Sequence, residues 1–263
     1  MALELHHLES GDEGVPLVVI HGLLGSADNW RSHIKQWQQR RRVVAVDLRN
    51  HGRSPHAAGM RYAEMAGDVL ALLDRLEITT CHLLGHSMGG KVAMTLARQT
   101  PERVASLIVA DIAPVTYRHG HDEIFGGLRH VEAIAPTNRR DADALLAEYV
   151  EEKPIRLFLA TNLVKREDGV MQWRVGLDEI MAGYEEIRGL PEGDRPYEGA
   201  SLVLRGGRSN YVRDDFLPQV REVMPAARIV TLDAGHWLHS EQPEAFQSAV
   251  NGFLETLEAE VSK

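Results

Sequence analysis

The string GHSMGGKVAM sets Ser87 between Gly85 and Gly89, where the apolar run CHLL ends and a helix-period stretch begins. Such a Gly-x-Ser-x-Gly string is common, and a serine there also serves as an ordinary turn or helix-cap residue. Between a strand and a helix the pattern carries more. A sharp turn presents the hydroxyl, and the glycines clear space around a strained backbone. Ser87 is therefore read as a nucleophile. A serine hydroxyl is weak at neutral pH, so it needs a base, a group that orients the base, and donors for the oxyanion.

Among thirteen histidines, His236 in TLDAGHWLHS falls just after the last predicted strand and just before the last helix. A loop there carries imidazole over the strand ends. Serine first and histidine near the C-terminus is a triad order distinct from those of chymotrypsin and subtilisin. His239 lies nearer the final helix and is expected to cap or pack. His86 is expected to point away from Ser87, since neighbouring side chains at a tight turn diverge.

For the oxyanion, VVIHGLLGSADNW supplies an HG-x turn after an early strand, and the backbone N–H groups of Leu23 and Met88 are the expected pair. His21 is expected to brace that loop. VASLIVADIAP puts Asp111 at a strand's carboxyl end, beside the nucleophile's strand. Neighbouring strand ends lie about 5 Å apart, within reach of a histidine on the loop above. Asp111 is thus the expected orienting acid. Asp214 and Asp215 open a helix, where exposed N–H groups favour carboxylates in any case, and Asp233 reads as a strand-end or turn residue.

These residues need a frame. Apolar or β-branched runs ending at Ile20, Val46, Leu84, Ala110, Leu204 and Leu232 read as strands buried on both faces. Helix-period stretches from Tyr62 to Leu76, Met88 to Arg98, Asp214 to Val223 and Pro243 to Leu257 alternate with them. That alternation predicts an α/β fold, a mostly parallel sheet flanked by helices. From Pro114 to about Glu198 the rhythm breaks. ALLAEYVEE, KPIRLFLATNLVK and LDEIMAGYEEIRG are helical patterns punctuated by Pro and Gly, with no comparable buried-strand run. Residues 114–197 are expected to form a helical insertion on a core made of 1–113 and 198–263. Open parallel sheets bind ligands at the carboxyl ends of their strands, so the insertion would cover and shape the site.

With 263 residues and 44% hydrophobic content, the chain can bury the core of one such domain. A net charge of -9, with no basic run beyond Arg40, Arg41 and Arg42, argues against nucleic acid or an anionic membrane as partner. The single cysteine, Cys81, lies in an apolar run, which rules out an intrachain disulfide framework and fits a reducing compartment. The N-terminal segment lacks a signal pattern and no window approaches the ~20 apolar residues of a membrane span, so a cytoplasmic location is expected. His6 with His7 and His119 with His121 are pairs without further ligands at metal-binding spacing. They are expected to be surface histidines, with HGHDE a polar loop and no metal bound.

Taken together, HGLLGSADNW, DLRNHGRS, GHSMGGKVAM, DIAPVTY followed by HDEIF, GGRSNYV and AGHWLHSEQPE resemble the YbfF-type esterases of the α/β-hydrolase superfamily. The likeness runs from about Pro16 to the last helix and thins in the insertion beyond HDEIF. It implies an α/β-hydrolase fold with a short helical cap inserted after the sixth strand. It also implies a cofactor-free serine esterase, acting on simple acyl esters through an acyl-enzyme, with Asp111 as triad acid. The common layout of the superfamily puts the acid in a G-x-x-D string after the insertion. Here that place reads Gly206 to Ser209, and the resemblance makes Ser209 an auxiliary hydrogen-bonding partner of the acid or histidine. DLRNHGRS matches a D-x-R-G-x-G-x-S stretch with Asn50 in the first glycine position, and its Asp47 and Arg49 are expected to organise strand-end loops. Acyl-CoA thioesters are the alternative substrates for the same triad. A dehalogenase or epoxide hydrolase would need a carboxylate where Ser87 stands, whereas carbon–carbon hydrolase and perhydrolase chemistry stay open. A non-catalytic small-molecule-binding protein on this fold is the reading from another class.

Overall fold

The computed structural model describes residues 2–261. The chain enters with β1 (His7–Ser10) and β2 (Leu17–Ile20), then passes through α1 (Arg31–Trp37) to β3 (Val43–Val46) and through α2 (Tyr62–Arg75) to β4 (Cys81–His86). After α3 (Met88–Gln99) and β5 (Val104–Ala110) come α4 (Asp122–Ile134), α5 (Arg139–Ala147) and α6 (Lys153–Ala160). A hairpin of β6 (Leu163–Lys165) and β7 (Met171–Trp173) precedes α7 (Leu177–Ala182) and α8 (Tyr184–Arg188). The chain closes through β8 (Ser201–Gly206), α9 (Leu217–Val223), β9 (Ala227–Leu232), α10 (Leu238–Glu241) and α11 (Pro243–Val261).

The seven-stranded sheet has the order β1-β3-β2-β4-β5-β8-β9. Only β1 runs antiparallel to its neighbour. Successive side chains of a strand face opposite ways, and the sequence uses both directions. Val18, Val44, Leu83, Leu107 and Val109 join residues of α2 and α3 in one apolar cluster. Leu17, Val19, Val43, Leu84 and Ile108 join Trp30, Trp37, Phe246 and Leu254 in the other. Each fully buried aliphatic side chain is worth about 1.5–3 kcal/mol, so both faces must be covered, and the strands read as continuous apolar runs.

The insertion departs from its sequence reading in several ways. It follows the fifth strand rather than the sixth, because a single edge strand, β1, precedes the parallel set and β5 is the strand that leads into it. KPIRLFLATNLVK is not one helix: α6 stops at Ala160, and Leu163–Lys165 pairs with Met171–Trp173. These three-residue strands are too short to show a period. LDEIMAGYEEIRG breaks at Gly183 into α7 and α8, and HDEIF opens α4 instead of closing a polar loop. Phe125, Leu128, Leu146, Trp173, Ile180 and Ile187 from this region continue the apolar cluster on the α2 and α3 side of the sheet. Among the described residues no helix is long and apolar enough to cross a membrane.

Candidate active site

Four neighbouring parallel strands, β4, β5, β8 and β9, end on the same side of the sheet. Just beyond their carboxyl ends stand Ser87, Asp111, Ser209 and His236 respectively. His236 Nδ1 donates to Asp111 Oδ2 at 2.7 Å, leaving Nε2 to face Ser87 Oγ at 3.0 Å. The Ser209 hydroxyl donates to the same Oδ2. The other carboxylate oxygen, Oδ1, accepts the Gly206 N–H at 2.9 Å. Asp111 is fully buried, with each oxygen hydrogen-bonded, as a buried charge requires.

The turn that presents Ser87 is strained. Its φ of 53° and ψ of -124° lie outside the regions that non-glycine residues favour, a cost of about 1–3 kcal/mol. The Ser87 N–H is tied to Ala110 O at 2.9 Å, and its carbonyl accepts from Gly90 at 2.8 Å. Close approach explains the flanking glycines. A Cβ on Gly85 would lie 2.2 Å from Gly89 O, and one on Gly89 would lie 2.4 Å from His21 O. Met88 opens α3, where a first-turn N–H has no intrahelical acceptor. Leu23, Ser87 and Met88 border one cavity together.

The loop that carries Leu23 is braced by two histidines that burial keeps neutral. His21 Nδ1 donates to Gly22 O at 2.7 Å, and its Nε2 accepts the Leu48 N–H at 3.0 Å. His51 Nδ1 donates to Arg49 O at 2.8 Å, and its Nε2 accepts the Leu24 N–H at 3.0 Å. Burial pushes the His51 imidazole down to about 3, and lowers His21 as well. Asp47 accepts from the Ala27 and Arg53 N–H groups and from His6, and Arg49 pairs with Asp68 at 2.7 Å. Both residues thus organise loops, as the sequence predicts. Asn50, at φ 64°, stands in the left-handed region that asparagine tolerates, which accounts for its replacing a glycine.

Two cavities meet at Ser87. The smaller, about 150 Å³, lies on the His236 side and is walled by Trp237 with Ile124, Ile155 and Phe158 of the insertion. The larger, about 560 Å³, lies on the Met88 side, between Tyr62, Lys91, Ile112, Tyr117 and Ile187. The insertion therefore supplies walls to both.

A family model described as the alpha/beta hydrolase fold matches residues 15–243. The chain belongs to the α/β-hydrolase family. It is 42% identical over 259 residues to the sn-1-specific diacylglycerol lipase ABHD11 of Mus musculus, covering 95% of this chain and 84% of that protein. It is 35% identical over 244 residues to esterase YbfF of Escherichia coli (strain K12), covering 91% and 92% of the two chains. A solved marine microorganism esterase superposes with a TM-score of 0.91 at 36% identity, over 96% of this chain and all of the other. This hydrolase is an enzyme of the esterase and lipase branch of the family.

Other histidines of the hydrolase surround the site without joining the relay. His86 has a task the sequence reading missed: its Nε2 donates to the His236 carbonyl at 2.9 Å. Burial first, then the neighbouring His239 and His236, hold its pKa well below the usual value, so it stays a neutral donor. His239 packs, stacked on Trp30 at 4.6 Å. His121 is no surface histidine: it precedes α4, bonds the Tyr184 hydroxyl and borders both cavities. Tyr211, also unforeseen, stacks on His236 at 3.9 Å. A tyrosine two residues beyond Ser209 was the available signal. Asp214 pairs with Arg205, Asp215 with Arg213 and exposed Asp233 with Arg208, so none enters the relay. His6 pairs with Asp47, His7 with Glu9 and His119 with Glu185. Cys81 is a buried thiol, pushed up to about 12 by its burial.

Proposed function

We propose that this chain hydrolyses simple carboxylic esters, with Ser87 as nucleophile, His236 as general base and acid, and Asp111 as the group that orients and charge-stabilises the imidazole. The observation that carries this reading is the unbroken relay from Ser87 Oγ through His236 to Asp111 Oδ2, 3.0 Å and 2.7 Å long. His236 takes the serine proton as Oγ attacks the acyl carbon, and the N–H groups of Leu23 and Met88 receive the oxyanion. Collapse breaks the bond to the leaving oxygen, which takes the proton from His236 Nε2. Water then clears the acyl-enzyme by the same steps with water as nucleophile.

The proton donor fixes the side on which the leaving group sits. It must lie toward His236, in the smaller cavity, which leaves the larger cavity for the acyl group. Ser209 is an auxiliary: its hydroxyl adds a second hydrogen bond to the oxygen that His236 uses. No step requires a cofactor or metal.

Turnover of p-nitrophenyl acetate and butyrate by wild type and Ser87→Ala tests the assignment. Loss of at least about 10³-fold in kcat is expected, on the scale of losing a triad member. Activity close to wild type in the variant would sink it. An acyl-length series run on esters, CoA thioesters and a diacylglycerol then ranks the substrates.

A further inference from the structure

Lys91 stands on α3 one helical turn beyond the nucleophile, its own N–H reaching back to Ser87 O at 3.3 Å. Only 1% of it is exposed, and none of its side-chain partners is a carboxylate. Its Nζ donates to Val115 O at 2.7 Å, to Arg188 O at 3.3 Å and to Gly189 O. Val115 lies where the chain leaves β5 for the insertion, while Arg188 and Gly189 lie where it returns from α8.

An ammonium group has three N–H bonds, and here all three serve the two roots of the insertion. The roots also bond each other: the Tyr117 N–H donates to Arg188 O at 3.0 Å, and Arg188 Nη1 donates to Tyr117 O at 2.5 Å. The Tyr117 ring lies over Nζ at 4.7 Å, a contact that favours the cation. Its hydroxyl donates to Tyr211 O at 2.6 Å, so the same segment reaches the residue stacked on His236. Burying an amine is unfavourable, and burial lowers the pKa of Lys91 to about 7. A methionine would fill the space without that cost but would leave the Val115 and Gly189 carbonyls without this donor.

From this geometry we infer that Lys91 is a positioning residue, which locks both roots of the insertion to the helix of the nucleophile and so fixes the wall of the larger cavity against Ser87. The inference rests on the reading of Ser87 as nucleophile and of that cavity as the acyl side. Lys91 forms no bond with the reacting atoms. It sets how well a long acyl group is held while the serine attacks.

The test compares wild type, Lys91→Met and Lys91→Gln on p-nitrophenyl acetate and p-nitrophenyl decanoate, with fluorophosphonate labelling of Ser87 and hydrogen exchange at residues 115–118 and 187–190. Lys91→Met is expected to raise KM for decanoate at least about tenfold more than it raises KM for acetate, with kcat on the two esters changing in parallel and labelling persisting. Exchange should rise at both roots together. Lys91→Gln, with two N–H bonds for three carbonyls, should fall between, and it carries the test alone if the methionine chain does not fold. An equal rise in KM on both esters, or an unchanged decanoate KM, would overturn the inference. Loss of labelling in wild type would instead bring down the nucleophile assignment beneath it.

Discussion

Asp111, proposed above as the orienting acid, takes its place from the end of a strand. It follows β5 directly, at φ 51°, and its N–H is held by Leu204 O at 2.8 Å, so the carboxylate sits beside the carboxyl end of β8, within hydrogen-bonding reach of His236. The strand-end position was legible in VASLIVADIAP because a buried strand that ends on a charge leaves few places for it. Of the partners of that charge, Ser209, 98 residues away, was named only through the family resemblance, and the Gly206 N–H, 95 residues away, was not named at all. Asp111→Asn should lower kcat by about 10³–10⁴-fold with little change in fold, because an amide favours the wrong imidazole tautomer. Ser209→Ala leaves the Gly206 N–H and His236 in place and should cost only about tenfold, the scale of one hydrogen bond to a charged group. Steady-state kinetics on both variants check the ranking, and comparable losses would make Ser209 a full member of the relay. His86 and Tyr211 stayed hidden for a similar reason: one acts through a main-chain carbonyl and the other through a ring face, and neither leaves a motif.

At the scale of elements, the turn between β4 and α3 brings Gly89 against the end of β2, where the main-chain oxygens of Ile20 and His21 lie 2.5 Å and 2.4 Å from a would-be Cβ. Backbone cannot swing aside as a flexible side chain does. Gly89→Ala should therefore push α3 away from β2 and part Met88 from Leu23. Loss of activity beyond about 10²-fold is expected, the scale for removing an oxyanion donor, with Ser87 still able to react slowly with a fluorophosphonate. Wild-type kcat in that variant would refute the close packing. The strands and long helices of the core were legible because their periods persist over enough residues. The insertion was less so. Its hairpin has three residues a strand, and Asn162, whose side-chain amide donates to Leu24 O at 2.7 Å, acts across 138 residues. Contacts of that range leave no local trace.

Across the whole molecule, several buried histidines are held uncharged by desolvation. His51 and His239 are pushed down to about 3, and His82 to about 4. In the unfolded chain each titrates near 6.5, so above that pH neither state takes up a proton and the folded state keeps its full advantage. Below it the unfolded chain binds protons that the folded chain refuses, and stability falls as pH drops toward the folded values. At pH 5 each of the three removes up to about 2 kcal/mol. A thermal midpoint that declines steadily below about pH 6.5, and less steeply in His82→Gln, is the expected result from calorimetry. A midpoint constant from pH 7 to 5 would contradict it.

The ends of four adjacent strands hold Ser87, Asp111, Ser209 and His236, yet the chain reaches those strands in separate instalments. Ser87 and His236 are 149 residues apart, and the insertion lies between β5 and β8. Such long-range pairings close late in folding, after local helices and hairpins have formed. During synthesis Ser87 leaves the ribosome well before His236, 149 residues further along the chain. On the proposed mechanism, the nascent chain carries the Ser87 hydroxyl with no His236 imidazole to take its proton. On that same mechanism, competence for chemistry arrives only when β9 docks along β8, so reactivity at Ser87 would report that the last part of the sheet has closed.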